Sequence, residues 1–152
     1  MDLHALGAIE PPRWILVFSR KSKVWWVRLL VRGKYKHVTA FAYVPGLDIY
    51  LFYDVACDRT GIVVAPNNQE TIRGYLAQFT ADADLMAAPV MKATPRPKLR
   101  LFGFWCAMSI KHLIGLRSSA LLPTALWRDC LRAGGEPLGQ SFLSTAVPAA
   151  RP

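Results

Sequence analysis

The chain has 152 residues, of which 53% are hydrophobic and 19% charged, and its formal net charge is +9. This composition excludes a disordered protein, and the length predicts one domain with a core of its own. No stretch reaches the roughly eighteen unbroken apolar residues of a membrane-spanning helix. The start has neither the basic residues nor the apolar run of a signal peptide, and three cysteines without close pairing fit a reducing compartment.

The first half of the chain is rich in aromatic and β-branched residues, which favour strands. The predicted strands cover residues 14–18, 35–44, 48–55 and 62–65. The second and third of these form the clearest hairpin, joined by Pro45 and Gly46. Residues 24–31 fit either a short helix or a buried strand, because their apolar residues satisfy both patterns.

The second half predicts helices. One begins near Asn68 and places Ile72, Tyr75, Leu76 and Phe79 on one face. Residues 81–100 predict an irregular connection, after which helices begin at Cys106 and Pro123 and the last ends at Gly134. Strands first and helices after predict an α+β fold, a small antiparallel sheet packed on one face against about three helices. We assign residues 1–135 to this domain and residues 136–152 to a C-terminal tail or arm.

The positive charge is concentrated near the N-terminus, with no acidic residue between Glu10 and Asp48. The eight basic residues of this run are Arg13, Arg20, Lys21, Lys23, Arg28, Arg32, Lys34 and Lys36. Such a face could meet nucleic acid, an anionic polymer or an acidic protein partner. We favour a solvated basic face over nucleic-acid binding, because no recognised nucleic-acid-binding module accompanies the charge.

Cys106 is the residue with the clearest chemical potential. Prolines at 89, 95 and 97 prevent a long helix from running in from upstream, so Cys106 should lie in a first helical turn. The unpaired N–H groups and positive dipole end there favour a thiolate, as a cysteine nucleophile requires. The alternative is a structural cysteine, since Trp105, Met108 and Ile110 beside it are ordinary core residues. Both interpretations stay open on the local sequence.

A nucleophilic cysteine needs a base and a group that orients the base. His4 lies near the terminus, and His112 would be about 9 Å along the helix from Cys106, so His37 is the candidate. If Pro45 and Gly46 form a two-residue loop, His37 lies opposite Asp54 on the next strand. A slip of one residue would separate the two side chains onto opposite faces.

This order of histidine strand, acidic strand and helix-opening cysteine resembles the circularly permuted papain-like fold of NlpC-type cell-wall peptidases and lecithin retinol acyltransferase-like proteins. The chain resembles more closely small uncharacterised proteins of tailed phages and prophages. They share a Gly-x-x-His strand after an aromatic segment, a short strand ending in Asp, and a Cys-x-x-x-x-Lys/Arg-x-x-x-Gly helix before a Pro-initiated helix. The matching segments are residues 33–37, 53–54, 106–115 and 122–127. The spacing from Gly33 to His37 is one residue longer than the pattern.

The resemblance implies Cys106 as nucleophile, His37 as base and Asp54 as orienting group of a phage-encoded thiol peptidase or amidase that acts on cell-wall peptides. It equally allows a phage virion, tail or assembly protein that keeps the fold without catalysis and binds acidic partners through its basic N-terminal face. Either protein would be found in the host cytoplasm or in the virion. We predict no cofactor and no metal, because the cysteines are far apart and no Cys-x-x-Cys exists.

Overall fold

A computed structural model describes residues 13–22, 24–56, 59–90, 105–139 and 142. The strands in these residues are β1 (Ile15–Ser19), β2 (His37–Val44), β3 (Ile49–Val55), β4 (Thr60–Pro66), β5 (Ala83–Ala87) and β6 (Glu136–Leu138). The helices are α1 (Trp25–Leu30), α2 (Gln69–Phe79), α3 (Cys106–Leu113) and α4 (Pro123–Arg132). The six strands form one antiparallel sheet in the order β4-β3-β2-β1-β5-β6. The predicted α+β class is confirmed.

The sheet has helices on both faces. Leu16 and Phe18 of β1 pack on one side into a core with residues of α3 and α4, whereas Ile15 and Val17 pack on the other side with residues of α2. The expectation that helices cover only one face is therefore wrong. The physical reason lies in the sequence of β1, an apolar run without alternating polar residues, which is typical of a strand buried on both faces.

Strand β5 corrects the prediction that residues 81–100 are an irregular connection. Its sequence, Ala-Asp-Leu-Met-Ala, contains no β-branched or aromatic residue, and so its local strand preference is low. It is nevertheless a strand because it pairs with β1 on one side and β6 on the other. Tertiary pairing has overridden local preference at this position. Residues 91–100, the remainder of the predicted connection, lie outside the described residues.

Strand β6 extends the sheet beyond the predicted domain boundary at residue 135. Its first residue, Glu136, forms an ion pair with Arg13, which lies just before β1, with 3.1 Å between Oε2 and Nη2. Residues 136–138 therefore belong to the folded unit and not to a tail. Residues 143–152 lie outside the described residues, and a tail there stays a prediction.

Helix α1 settles the ambiguity of residues 24–31 in favour of a short helix. Helix α2 buries Ile72 and Leu76 as predicted, while Tyr75 on the same helix is partly exposed. Within the described part of the chain, no helix combines the length and apolarity needed to span a bilayer.

Candidate active site

The hairpin of β2 and β3 carries two of the predicted site residues, but its turn differs from the prediction. Val44 pairs with Ile49, so the turn contains the four residues 45–48 and not the two-residue loop Pro45-Gly46. Proline cannot adopt the positive φ that begins the tight hairpin turns, whereas Asp48 takes a left-handed φ of 51° at the end of the longer turn. The predicted pairing of His37 directly opposite Asp54 is therefore wrong.

His37 and Asp54 nevertheless meet on one face of the sheet. Ala40 pairs with Tyr53, which makes Asp54 a diagonal neighbour of His37, displaced by two residues from the predicted position. A shift of two preserves the face to which a strand side chain points, whereas a shift of one would have reversed it. The His37 Nε2 lies 2.7 Å from Asp54 Oδ1. The two side chains are hydrogen bonded, which is the contact a histidine base needs with an orienting carboxylate.

Cys106 is the first residue of α3, as predicted. Trp105 before it has extended backbone (φ −114°, ψ 133°) and accepts the first helical hydrogen bond, from the Ser109 N–H. The thiol is partly exposed, and it interacts with the His37 imidazole, since Cys106 contributes to the raised pKa of His37. The structure thus brings together all three residues that the sequence nominated.

The charge state of His37 follows from these neighbours. Burial opposes a positive charge on the imidazole, but the hydrogen bond to the Asp54 carboxylate and the interaction with Cys106 outweigh burial and raise the pKa of His37 to about 10. The hydrogen bond from His37 in turn lowers the pKa of Asp54, against the opposing effect of burial. The pair is accordingly an imidazolium and a carboxylate at neutral pH.

The thiol lies on the first turn of α3, where backbone N–H groups lack acceptors within the helix. The first N–H groups of an α-helix have no acceptor within the helix, which applies to residues 106–108 of α3. No side chain caps this helix end in the described part of the protein. The donors and the helix dipole favour negative charge at Cys106 and on an oxygen bound beside it.

The segment before His37 is fixed by α4. Gly33 has φ +104°, and a Cβ at this position would lie 2.5 Å from Thr124 Oγ1, so only glycine fits. The same Thr124 hydroxyl accepts a hydrogen bond of 2.9 Å from the Tyr35 N–H. These contacts join the segment around Gly33 to the Pro-initiated helix, and they position the strand that begins with His37.

Lys111 is a buried residue that sequence reasoning misplaced. Its helical position suggested a polar face, yet it is only 8% exposed and its ammonium donates to the carbonyl oxygens of Ser118 and Ala120, at 2.9 and 3.1 Å. Burial lowers the pKa of Lys111. The residue ties α3 to the loop that leads into α4, which gives a structural reason for the lysine of the Cys-x-x-x-x-Lys pattern.

Part of the basic run is neutralised within the protein. Arg20 and Lys34 both lie 2.7 Å from carboxylate oxygens of Asp84, and Lys21 lies 2.6 Å from Asp82. These three cations are 54–81% exposed, as a solvated basic face requires. Local sequence does not predict the pairing, because Asp82 and Asp84 lie in the segment 81–100, for which the sequence predicts an irregular connection.

The remaining candidate residues stand apart from the site. Cys130 is buried in α4, and His112 is exposed in the last turn of α3. Cys57 and His4 lie outside the described residues. In the part of the chain that is described, no group of three or more His, Cys, Asp or Glu side chains is arranged to hold a metal ion.

Comparison with known proteins identified no relative of this chain. No protein-family model matches the chain. No match was found among curated proteins or among solved structures. The permuted papain-like relationship thus stays a prediction, and function has to be argued from the geometry of Cys106, His37 and Asp54.

Proposed function

We propose that the protein is a thiol hydrolase with Cys106 as nucleophile, His37 as proton carrier and Asp54 as the group that orients His37. One observation carries the proposal: a single imidazole is hydrogen bonded to a carboxylate through Nε2 and interacts with the thiol of a helix-opening cysteine. This is the arrangement of nucleophile, base and orienting group that defines covalent acyl transfer.

The reaction proceeds by acyl transfer through the sulfur. The thiolate attacks the acyl carbon, and the resulting oxyanion accepts hydrogen bonds from the backbone N–H groups at the start of α3. The His37 imidazolium donates its proton to the departing nitrogen, the carbon–nitrogen bond breaks and a thioester forms on Cys106. Water then attacks the thioester, His37 accepts a proton from that water, and the carboxylic acid and the thiolate are released.

The electrostatics of His37 suit this role. An amide nitrogen is a poor leaving group unless it is protonated, so the group beside it must be a proton donor when the reaction begins. Burial opposes the charge, but the hydrogen bond to Asp54 and the interaction with Cys106 raise the pKa of His37 to about 10, so His37 is protonated at neutral pH. Asp54 also restrains the ring orientation, because it engages Nε2.

The substrate class rests on the resemblance to phage and cell-wall proteins. We propose peptide or amide bonds of cell-wall peptides as substrates and a phage genome as the origin of the chain. The partly exposed thiol, next to a Trp105 side chain that is 38% exposed, is consistent with a site that an external acyl group can reach.

Trapping of the acyl-enzyme tests the proposal without knowledge of the substrate. The protein is mixed with activated acyl esters of small amino acids, quenched in acid and mapped by peptide mass spectrometry. We expect one acyl adduct, on Cys106, and its loss in Cys106→Ala, while Cys130→Ala keeps it. Acylation of Cys106 no faster than that of a cysteine in an unfolded peptide would contradict the proposal.

A second candidate function, a non-catalytic virion or assembly protein, is favoured by the outer edge of the sheet. β4 is an edge strand whose residues Ile62, Val63 and Val64 are 42–67% exposed, and it contains no charged residue. Such an edge is suited to pairing with another chain. This function predicts that Cys106→Ala assembles like the unaltered protein and that the Cys106 thiol of the unaltered protein is inert.

A further inference from the structure

Helix α1 presents apolar side chains to solvent. Trp25 is 71% exposed and Leu29 is 72% exposed, and these residues are four apart and so share one face of the helix. Val24, directly before the helix, is 41% exposed. Large apolar side chains that are adjacent and open to solvent mark an interaction surface more often than isolated ones do.

The exposed face is not the inward face of a loosely packed helix. Val27 is partly buried and Val31, four residues later, is 3% exposed, so these two valines form the inward side. Trp25 lies about 200° around the helix axis from Val27, which places it on the outward side. The helix is accordingly apolar on its inward and on its outward side.

The segment that contains this face is basic in sequence. Residues 20–36 contain seven basic residues and no acidic one. Asp82 and Asp84 pair with Lys21, Arg20 and Lys34, and these three cations are nevertheless 54–81% exposed. Arg32, just after the helix, is exposed. The surface therefore complements an anionic partner.

We infer that α1 and the basic residues around it form a binding surface for anionic lipid headgroups, with Trp25 and Leu29 inserted at the boundary of the acyl chains. A tryptophan and an aliphatic side chain on one side of a short helix, within a segment rich in lysine and arginine, is the pattern of an interfacial membrane anchor. An exposed leucine favours a lipid over a nucleic acid, because it gains from contact with hydrocarbon and cannot stack on bases like an aromatic ring.

The position of α1 links this surface to the candidate active site. The helix lies between Ser19, the last residue of β1, and His37, the first residue of β2, and these two residues pair with each other in the sheet. α1 therefore emerges from the end of the sheet that carries His37. Membrane binding would hold that end near the lipid surface, whether or not Cys106 reacts.

Vesicle co-sedimentation tests the inference on the full chain. We expect binding to phosphatidylcholine vesicles that contain roughly one third phosphatidylglycerol, weakening as salt is added, and much weaker binding to pure phosphatidylcholine. Leu29→Ser should weaken binding about tenfold, the effect of removing roughly two buried methylene groups. Leu121→Ser, at a leucine that is 64% exposed on the α3–α4 loop, is the matched control and should bind like the unaltered protein.

Charge substitutions and alternative occupants complete the test. Arg32→Gln should weaken binding about fivefold, whereas Arg128→Gln on α4 should not. Equal vesicle binding by Leu29→Ser and the unaltered protein would overturn the inference. So would binding to duplex DNA without binding to vesicles, or a dimer in light scattering that Leu29→Ser abolishes, because the occupant would then be nucleic acid or a second copy. Cys106→Ala should bind vesicles normally, which separates this inference from the proposed hydrolase.

Discussion

Cys106 and Cys130 are both helical cysteines, and the fold gives them opposite environments. Cys106 opens α3, is partly exposed and interacts with the imidazole of His37. Cys130 lies near the end of α4, is fully buried and has a pKa raised to about 12, chiefly because burial disfavours the thiolate. The nearby Asp129 carboxylate raises it further.

The difference teaches that reactivity here depends on which end of a helix carries the thiol and on what faces it. Cys106 lies at a helix start, where N–H groups lack acceptors within the helix, and near the His37 cation. Cys130 lies near the carbonyl end of a helix and near the Asp129 anion. The number of cysteines and the general tendency of cysteine to be buried do not distinguish Cys106 from Cys130. The comparison is therefore the most direct way to test whether Cys106 is chemically prepared.

Alkylation should give the largest contrast. At pH 7 we expect Cys106 to react with iodoacetamide at least about a thousandfold faster than Cys130, because a buried thiol of raised pKa has almost no thiolate. The measurement is peptide mapping after timed quenching, with Cys57 as a further internal comparison. Equal rates for Cys106 and Cys130 in the folded protein would remove the distinction and the hydrolase with it.

The second effect concerns the cation beside Cys106. His37→Gln should slow alkylation of Cys106 at pH 6 by about a hundredfold, since the thiolate loses the positive charge that stabilises it, as in other cysteine–histidine pairs. His112→Gln is the matched control, because His112 lies on the same helix and is exposed. If both variants alkylate at the unaltered rate, the thiol is not activated by His37.

Much of this site was predictable because its parts are local. The helix start at Cys106 follows from upstream prolines, and the shared face of His37 and Asp54 depends only on strand parity. The two side chains still share a face although the turn has four residues between Val44 and Ile49 instead of the predicted two. The correct pair thus came from an incorrect register, since an error of two residues leaves the face unchanged.

The parts that could not be predicted depend on long-range contacts. β5 is a strand because β1 and β6 pair with it, and its own residues do not favour that state. Lys111 is buried because the carbonyls of a loop several residues away accept its hydrogen bonds. In both cases the deciding partner lies far along the chain or in a loop whose path a local pattern does not specify.

A third effect is the protonation of His37. Asp54→Asn should lower the pKa of His37 by about one to three units, because the carboxylate that stabilises the imidazolium is removed. The pKa can be followed by NMR of the imidazole nitrogens. Asp82→Asn, which removes an exposed ion pair with Lys21, is the control and should leave His37 unchanged.

The same pair predicts how stability depends on pH. Because the pKa of His37 rises from 6.5 to about 10 on folding, its contribution is fully present below pH 6.5 and is lost as the pH rises through about 10. The contribution of Asp54, whose pKa is lowered on folding, is present above its ordinary pKa and is lost in acid. Between pH 6.5 and 10, the free energy of unfolding measured in urea should therefore fall less for Asp54→Asn than for the unaltered protein. Parallel curves for the two proteins would mean that the carboxylate does not stabilise the imidazolium.

The smallest effect separates structural from chemical cysteines. Cys130→Ser should lower the free energy of unfolding by about 1–3 kcal/mol, because a hydroxyl is placed where a thiol lies against apolar core residues. Cys106→Ser should cost less, since that side chain is partly exposed. Urea denaturation with a shared m-value measures both.

The relative loss of stability in Cys130→Ser and Cys106→Ser distinguishes a packing cysteine from a reactive one. A residue kept for packing loses stability when its polarity changes, whereas a residue kept for chemistry loses reactivity while the fold survives. If Cys106→Ser destabilised the protein more than Cys130→Ser, Cys106 would be the packing residue of the two. The interaction with His37 would then be a structural contact that holds α3 against β2, and the Cys106–His37–Asp54 set would stabilise the fold without preparing a nucleophile.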